Sequence, residues 1–326
     1  ESIVRESGKP IRYARGEVSR CIETLTFAAD TARHLNGETI QMSAAKGGVG
    51  KFGYYMREPV GVVGAITPFN FPLNLVAHQV APAVAVGCPI VLKPSPMTPL
   101  TAIKLQDVLI EAGLPEGLYT VVVGDVEVGK QLTTDDRIAM ITFTGSPGVG
   151  EAISKVAGLR RTTFELGGNA ATVIDEGTNI TDALINRLAV GAFAYSGQVC
   201  ISVQRMYIHE SLYDTFRDKF IERTNNLKLG DPMNDDTEIG PLINDAAGER
   251  LSAWLVSAKE QGANISAGGG LDGRMMQPTV LENVKDNMQV MCAEAFGPLV
   301  NLVPYSDFEA VLEEVNDSDF GLQAGI

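Results

Sequence analysis

The sequence predicts an α/β protein built on a doubly wound parallel sheet, and three observations carry that expectation. Short β-branched runs alternate with helical patterns, the helices start and stop on turn chemistry, and the pattern restarts half-way along the chain. In order, Val60-Gly61-Val62-Val63-Gly64-Ala65-Ile66 reads as a buried strand, and Leu73, Val76, Val80 and Ala83 then recur at helical spacing. Residues 90–92 form a second strand. Thr98-Pro99 reads as an N-cap with proline at N1 of a helix striped by Ala102, Leu105, Leu109 and Ala112, which Gly113 and Pro115 end. Residues 119–123 and 138–143 are further strands. Ser146-Pro147 opens a helix with Val149, Ile153 and Val156 inside and Gly158 at its end. From about 166 the alternation begins again: strand 171–174, helix 180–194, strand 203–208, then a helix with Leu212, Phe216 and Phe220 on one face. The stretch 41–59, glycine-rich and then Phe52, Tyr54 and Tyr55, fits neither unit and reads as a protruding β-hairpin.

Composition narrows the function classes. The 326 residues are 45% apolar, enough for about two domains with cores of their own and too much for a disordered chain. A net charge of −14 with no Lys/Arg-rich block argues against a nucleic-acid face. The 4 cysteines (Cys21, Cys88, Cys200, Cys292) include no CxxC pair, and the 3 histidines lie far apart, so neither a disulfide framework nor a zinc site is expected. The apolar stretch 80–92 is broken by Pro82, Gly87 and Pro89 and cannot span a bilayer. A chain that opens Glu1-Ser2-Ile3-Val4-Arg5 shows no secretory pattern, and the expected compartment is the cytoplasm. The final residues stop within apolar sequence, so the chain reads as incomplete there.

In doubly wound sheets ligands sit at the carboxyl ends of the strands. Three such ends carry unusual residues: Thr67-Pro68-Phe69-Asn70-Phe71-Pro72, Lys93-Pro94-Ser95 and Thr144-Gly145-Ser146. The last opens a helix, whose N–H groups and partial positive charge suit an anion. The ordinary G-x-G-x-x-G fingerprint is absent. Lys46-Gly47-Gly48-Val49-Gly50-Lys51 imitates a phosphate-binding loop, but Phe52 stands where a magnesium-binding Ser or Thr belongs, and no apolar strand precedes it. A second constellation pairs Glu165-Leu166-Gly167-Gly168 with Gly197-Gln198-Val199-Cys200: a carboxylate able to activate water and a thiol able to act as nucleophile. The other three cysteines read as buried structural residues.

These motifs, with Phe143-Thr144-Gly145-Ser146 and Glu294-Ala295-Phe296-Gly297-Pro298, stand in an order and spacing that resembles the aldehyde dehydrogenase superfamily over essentially the whole chain. The resemblance implies a non-standard Rossmann-type cofactor domain at 1–165, interrupted by an oligomerisation-arm hairpin at 41–59, and an α/β catalytic domain at 166–326. It also implies a chain truncated at both ends and a homo-dimer or homo-tetramer when complete. By resemblance, Cys200 is the nucleophile, Asn70 and the Cys200 N–H form the oxyanion hole, and Glu165 activates the hydrolytic water. Lys93 matches the lysine on the adenosine ribose, Gly145 and Ser146 the diphosphate contacts, Glu294 the nicotinamide-ribose partner and Phe296 the aromatic beside the ring. Thr67 and Pro68 fall among the cofactor contacts. The implied reaction oxidises a small-molecule aldehyde to an acid with NAD or NADP through a thiohemiacetal and a thioester, without metal, membrane or nucleic acid. Where the family often has a glutamate for the adenosine 2′-hydroxyl, this chain has Pro96, which leaves NADP open beside NAD; no cysteine stands at Ser202. The wording of 161–164 and 293–296 resembles the lactaldehyde, succinate-semialdehyde and non-phosphorylating glyceraldehyde-3-phosphate branch. The alternative, a CoA-acylating relative, fits less well because that branch characteristically lacks the base at Glu165.

Overall fold

The computed structural model describes residues 1–326, which divide into two compact units: Gly16–Glu165, and Glu1–Arg15 together with Leu166–Ile326. The chain opens with helices α1 (Ser2–Ser7) and α2 (Ile11–Ala32), and the division falls inside α2. The sequence expectation kept residues 1–15 with the first part, whereas here they pack with 166–326. The reason is local: Ile3 and Val4 are buried, Ile11 N–H donates to the Pro232 carbonyl at 2.8 Å, and the Tyr195 hydroxyl donates to the Ser7 carbonyl at 3.0 Å.

In the unit Gly16–Glu165, strands β1 (Glu38–Ile40) and β2 (Gly53–Tyr55) pair antiparallel. The hairpin thus begins before residue 41, and the glycine-rich stretch is its connection, folded as two 3₁₀ turns at Met42–Ala44 and Lys46–Gly48. No α-helix follows Gly48 to receive a phosphate. The chain then lays down β3 (Val62–Ile66), α3 (Asn74–Ala85), β4 (Ile90–Lys93), α4 (Pro99–Glu111), β5 (Tyr119–Val121), α5 (Val126–Thr134), β6 (Ile138–Thr144), α6 (Pro147–Ala157) and β7 (Arg161–Glu165). The five-stranded sheet is parallel throughout, in the order β5-β4-β3-β6-β7. Strands run outward from β3 to β5, and the chain then returns to place β6 on the other side of β3. Connections therefore diverge at the carboxyl ends of β3 and β6, which is where such sheets open a crevice. Val63, Ala65, Val76, Val80, Ile90, Leu92 and Tyr119 form the core.

The second unit continues with β8 (Ala170–Ile174), α7 (Asp182–Phe193), β9 (Val203–His209), α8 (Tyr213–Asn225), α9 (Asp245–Glu260) and β10 (Asn264–Ala267). A short hairpin of β11 (Leu271–Asp272) and β12 (Met275–Met276) precedes β13 (Thr279–Glu282), α10 (Gln289–Cys292), β14 (Leu299–Tyr305), α11 (Phe308–Asn316) and β15 (Ala324–Gly325). Its six-stranded sheet runs β10-β13-β14-β9-β8-β15, parallel except for β10. Phe216 and Phe220 are fully buried and stack with centroids 5.6 Å apart, and Phe193 stacks on Phe220 at 6.0 Å.

Two local expectations need revision. Ile153 and Ala157 face inward on α6, but Val149 and Val156 are exposed, so the buried stripe is narrower than the apolar spacing implied. Thr98 and Ser146 do stand at N-cap positions, yet neither makes a side-chain capping bond. No helix is long and apolar enough to cross a membrane. Truncating Phe220 to alanine empties the centre of the aromatic stack, and the expected outcome is a loss of about 3–5 kcal/mol of unfolding free energy in a urea titration.

Candidate active site

The carboxyl ends of the parallel strands in Gly16–Glu165 gather seven of the expected residues. Beyond β3, the Thr67 N–H donates to the Lys93 carbonyl at 3.2 Å, which ties the Thr67-Pro68-Phe69-Asn70 turn to the end of β4. Thr67 and Asn70 are buried, and the Thr67 hydroxyl and Asn70 Oδ1 lack protein partners. A buried carboxylate that sequence reasoning did not single out sets this turn: Glu17 on α2 accepts from the Leu73 N–H at 2.8 Å and the Asn74 N–H at 3.1 Å, capping α3. Gln79 Nε2 donates to the Ile66 carbonyl at 3.2 Å and the Thr144 hydroxyl at 3.1 Å, so the ends of β3 and β6 are held together.

Lys93 ends β4 with its ammonium bonded to the Pro94 carbonyl at 3.3 Å. Burial pushes its pKa down, partly offset by the carboxylate of Asp125, the N-cap residue of α5. A buried amine whose bonded partner is a neutral carbonyl is poised to serve a polar ligand. At the end of β6, Gly145 N–H donates to the Glu165 carbonyl at 3.0 Å, and α6 begins at Pro147 with no side chain on its first-turn N–H groups. Glu165 closes β7 at the sheet edge and is exposed. Pro96, also exposed, brings no carboxylate to this end of the sheet.

In the unit containing 166–326, the nucleophile candidate hangs from a left-handed turn. Tyr195, Ser196 and Gly197 have φ of 51°, 56° and 67°, a conformation costing ordinary residues about 1–3 kcal/mol each. Surrounding bonds hold it: Ser196 Oγ to the Gly240 carbonyl at 2.7 Å, Tyr195 to Ser7, and Gln198 Oε1 accepting from the Ile243 N–H at 2.9 Å. Gly197 is glycine for space as well, because a Cβ there would fall 2.1 Å from the Gly297 carbonyl oxygen. Cys200 follows, partly exposed and outside any disulfide. Its carbonyl oxygen lies against Gly168, where a Cβ would come within 2.2 Å. A Cβ on the preceding Gly167 would meet the Glu294 carboxylate at 2.5 Å, and Gly168 N–H donates to Glu294 Oε1 at 2.9 Å. Burial pushes the Glu294 pKa above the ordinary carboxylate value, against the Gly168 bond and the Arg250 charge. Phe296, two residues on, is itself left-handed at φ 45°.

The remaining cysteines divide. Cys21 and Cys88 are buried, and burial with the Glu17 charge pushes the Cys21 thiol up to about 11. Cys292 is exposed at the end of α10, which corrects its assignment to the buried structural class. No group of three or more His, Cys, Asp and Glu side chains is arranged to hold a metal ion. The residues present do fit a nicotinamide dinucleotide. The strand ends of Gly16–Glu165 offer it the Lys93 ammonium, the unsatisfied Thr67 hydroxyl and the uncapped start of α6.

Known proteins bear on the same question. The aldehyde dehydrogenase family matches residues 1–326, the whole chain. The chain belongs to that family. It is 44% identical over 327 residues to the 3-sulfolactaldehyde dehydrogenase of Priestia megaterium, covering all of this chain and 68% of that protein. Among solved structures, aldehyde dehydrogenase 21 from Physcomitrella patens, in complex with its reaction product succinate, matches with TM-score 0.97 and 40% identity over 100% of this chain and 68% of that one. The NADP-dependent glyceraldehyde-3-phosphate dehydrogenase of Bacillus halodurans, complexed with NADP, matches with TM-score 0.93 and 38% identity over 99% and 68%. The chain thus spans about two thirds of these relatives, and its two sheets are those of the aldehyde dehydrogenase fold. Its activity is that of an NAD(P)-dependent oxidoreductase converting an aldehyde to a carboxylic acid.

Replacing Gly168 by alanine forces a methyl group into the Cys200 carbonyl, and overpacking of this kind costs about 1–3 kcal/mol. The expected outcome is a loss of aldehyde oxidation much larger than the loss of stability, read by comparing turnover with the urea midpoint.

Proposed function

We propose that Cys200 is the nucleophile of a hydrolytic aldehyde oxidation and that Glu165 is its base. The observation that supports this reading best is the over-determined turn at 195–197, which stores backbone strain directly before a partly exposed cysteine whose own carbonyl is locked on Gly168. In this reading 166–326 is the catalytic part, and the sheet of Gly16–Glu165 is the dinucleotide-binding part.

Cys200 Sγ attacks the aldehyde carbon, forming a C–S bond and placing negative charge on the former carbonyl oxygen. The Asn70 amide and the Cys200 N–H stabilise that oxyanion by donating hydrogen bonds where charge develops. The dinucleotide, when bound, supplies the acceptor for the two electrons and hydrogen lost from the thiohemiacetal carbon, which leaves a thioester on Cys200. Glu165 then takes a proton from water, the resulting hydroxide adds to the thioester carbonyl, and the C–S bond breaks to release the acid and restore the thiolate. Lys93 and Thr67, with Pro68 shaping the turn, hold the adenosine side. Gly145 and Ser146 would present the start of α6 to the diphosphate, and Glu294, with Phe296 nearby in sequence, would accept from ribose hydroxyls.

Glu165 supports hydrolysis over acyl transfer to CoA. Pro96 in place of a 2′-hydroxyl acceptor keeps both NAD and NADP as cofactors. The relatives named above handle sulfolactaldehyde, succinate and glyceraldehyde 3-phosphate, and a short aldehyde carrying an anionic group is the substrate class we assign. The exposed apolar hairpin of β1 and β2, with Ile40, Phe52 and Tyr54 on its surface, supports a homo-oligomer, and four cysteines without a disulfide support a cytoplasmic site.

The test is dinucleotide reduction by the full-length protein, without CoA, with NAD and NADP side by side over anionic and neutral short aldehydes. Cys200→Ala should abolish the rate, and Glu165→Gln should accumulate a covalent acyl adduct visible by intact mass. Unimpaired turnover in either variant would remove its residue from the mechanism. A second expectation concerns pH. Because the Glu294 pKa is raised, its carboxylate is protonated on acidification sooner than an ordinary glutamate, and it is the charged form that accepts from ribose hydroxyls. KM for the dinucleotide should therefore rise as pH falls through that range, and Glu294→Gln should flatten the dependence while raising KM throughout.

A further inference from the structure

We infer that Gln204, a buried residue of β9, is the positioning residue that fixes Glu294 for the dinucleotide; the inference rests on the role proposed above for Glu294. The side-chain amide of Gln204 brackets that residue. Its Nε2 donates to the Ala293 carbonyl at 2.8 Å, on the N-terminal side of Glu294, and its Oε1 accepts from the Ala295 N–H at 2.8 Å, on the C-terminal side. The second Nε2 hydrogen goes to the Val290 carbonyl at 2.8 Å. One side chain thus satisfies three backbone groups of a segment about ninety positions away in sequence, in the way a neighbouring strand would.

Other side chains complete the clamp. Asn301 Nδ2 donates to the Val290 carbonyl at 2.6 Å and to the Gln204 carbonyl at 3.1 Å, and Arg250 donates to the Ala295 carbonyl at 2.6 Å. With the backbone pinned on both sides, the Glu294 carboxylate meets Gly168 N–H at 2.9 Å, next to the Cys200 carbonyl contact. Gln204 therefore sets where the carboxylate stands relative to the loop that carries the nucleophile's own constraint. It touches neither substrate nor cofactor. A buried amide that served packing alone would bond its own sheet neighbours, whereas every side-chain bond of Gln204 goes to the segment 290–295.

The experiment uses the full-length protein, with Gln204→Met removing all three bonds at similar volume and Gln204→Glu keeping the acceptor for Ala295 but losing both donors. Three readouts are taken: hydrogen exchange of the Ala295 amide without dinucleotide, the dissociation constant of NADH and NADPH from their own fluorescence, and alkylation of Cys200 by iodoacetamide. Removing the three bonds, which leaves the Ala293 carbonyl and the Ala295 N–H without their side-chain partner, should speed Ala295 exchange about tenfold or more and weaken dinucleotide binding about tenfold, with Gln204→Glu in between. Alkylation of Cys200 and KM for the aldehyde should stay within about twofold of wild type. Faster Ala295 exchange with unchanged dinucleotide affinity would overturn the inference and leave Gln204 a packing residue. Should Gln204→Met fail to fold, Gln204→Glu decides by the same comparison: weakened binding supports the inference and wild-type binding ends it. Glu294→Gln separates the two readings, since unchanged dinucleotide affinity in that variant would overturn the role of Glu294 itself, whatever Gln204 does.

Discussion

The contact between the Cys200 carbonyl oxygen and the backbone of Gly168 is the constraint on which the arrangement of the loops around Cys200 depends. It brings two segments more than thirty residues apart to backbone contact, closer than any side chain allows. Its neighbours extend the same logic. Gly167 admits the Glu294 carboxylate, and Gly197 admits the Gly297 carbonyl, so three chain segments meet at glycines rather than at interdigitating side chains. Backbone atoms have no rotamers, so contacts made in this way leave little freedom of position. The left-handed turn at 195–197 is the cost of that arrangement, offset by the hydrogen bonds of Ser196, Tyr195 and Gln198.

The unit Gly16–Glu165 works by a different principle. Its sheet supplies a parallel array whose strand order reverses between β4 and β6 on either side of β3, and the candidate residues sit on the turns that leave the carboxyl ends. Those turns hold polar groups that a stability-optimised protein would have paired. The Thr67 hydroxyl and Asn70 Oδ1 are buried without protein partners, and Lys93 is buried with a neutral one. Each unmade bond costs about 1–3 kcal/mol, which the apolar core beneath β3 and β4 must outweigh. Even the missing caps fit this pattern: a serine at the start of α6 that left its own helix uncapped keeps the first-turn N–H groups for a ligand.

Much of this was readable along the chain. Strand–helix alternation located β3, β4, β6, β8 and β9 to within a few residues because buried parallel strands are continuous β-branched runs. The motif residues Asn70, Lys93, Glu165 and Cys200 stood out because each is a reactive type at an element's end. β7, β10, β13 and β14 escaped notice; β7 and β10 are edge strands of mixed polarity, and α5 is short and rich in polar residues, so neither period is strong there. The resemblance kept residues 1–15 with the first part, and local sequence has no means of revealing that Ile3 and Val4 are buried and that 1–15 group with 166–326.

The sequence by itself determined the alternation and the standing of Asn70, Lys93 and Gly145 just past or at strand ends, since those follow from local periodicity and residue order. Only the tertiary structure decided how the reactive groups are held. Glu17 capping α3, Gln79 joining β3 to β6, and Gln204 bracketing Glu294 are buried polar side chains whose partners lie 13 to 91 residues away. Nothing in their own neighbourhoods announces those bonds. A hydrogen bond is specified by two positions in space, and a one-dimensional pattern records only one of them.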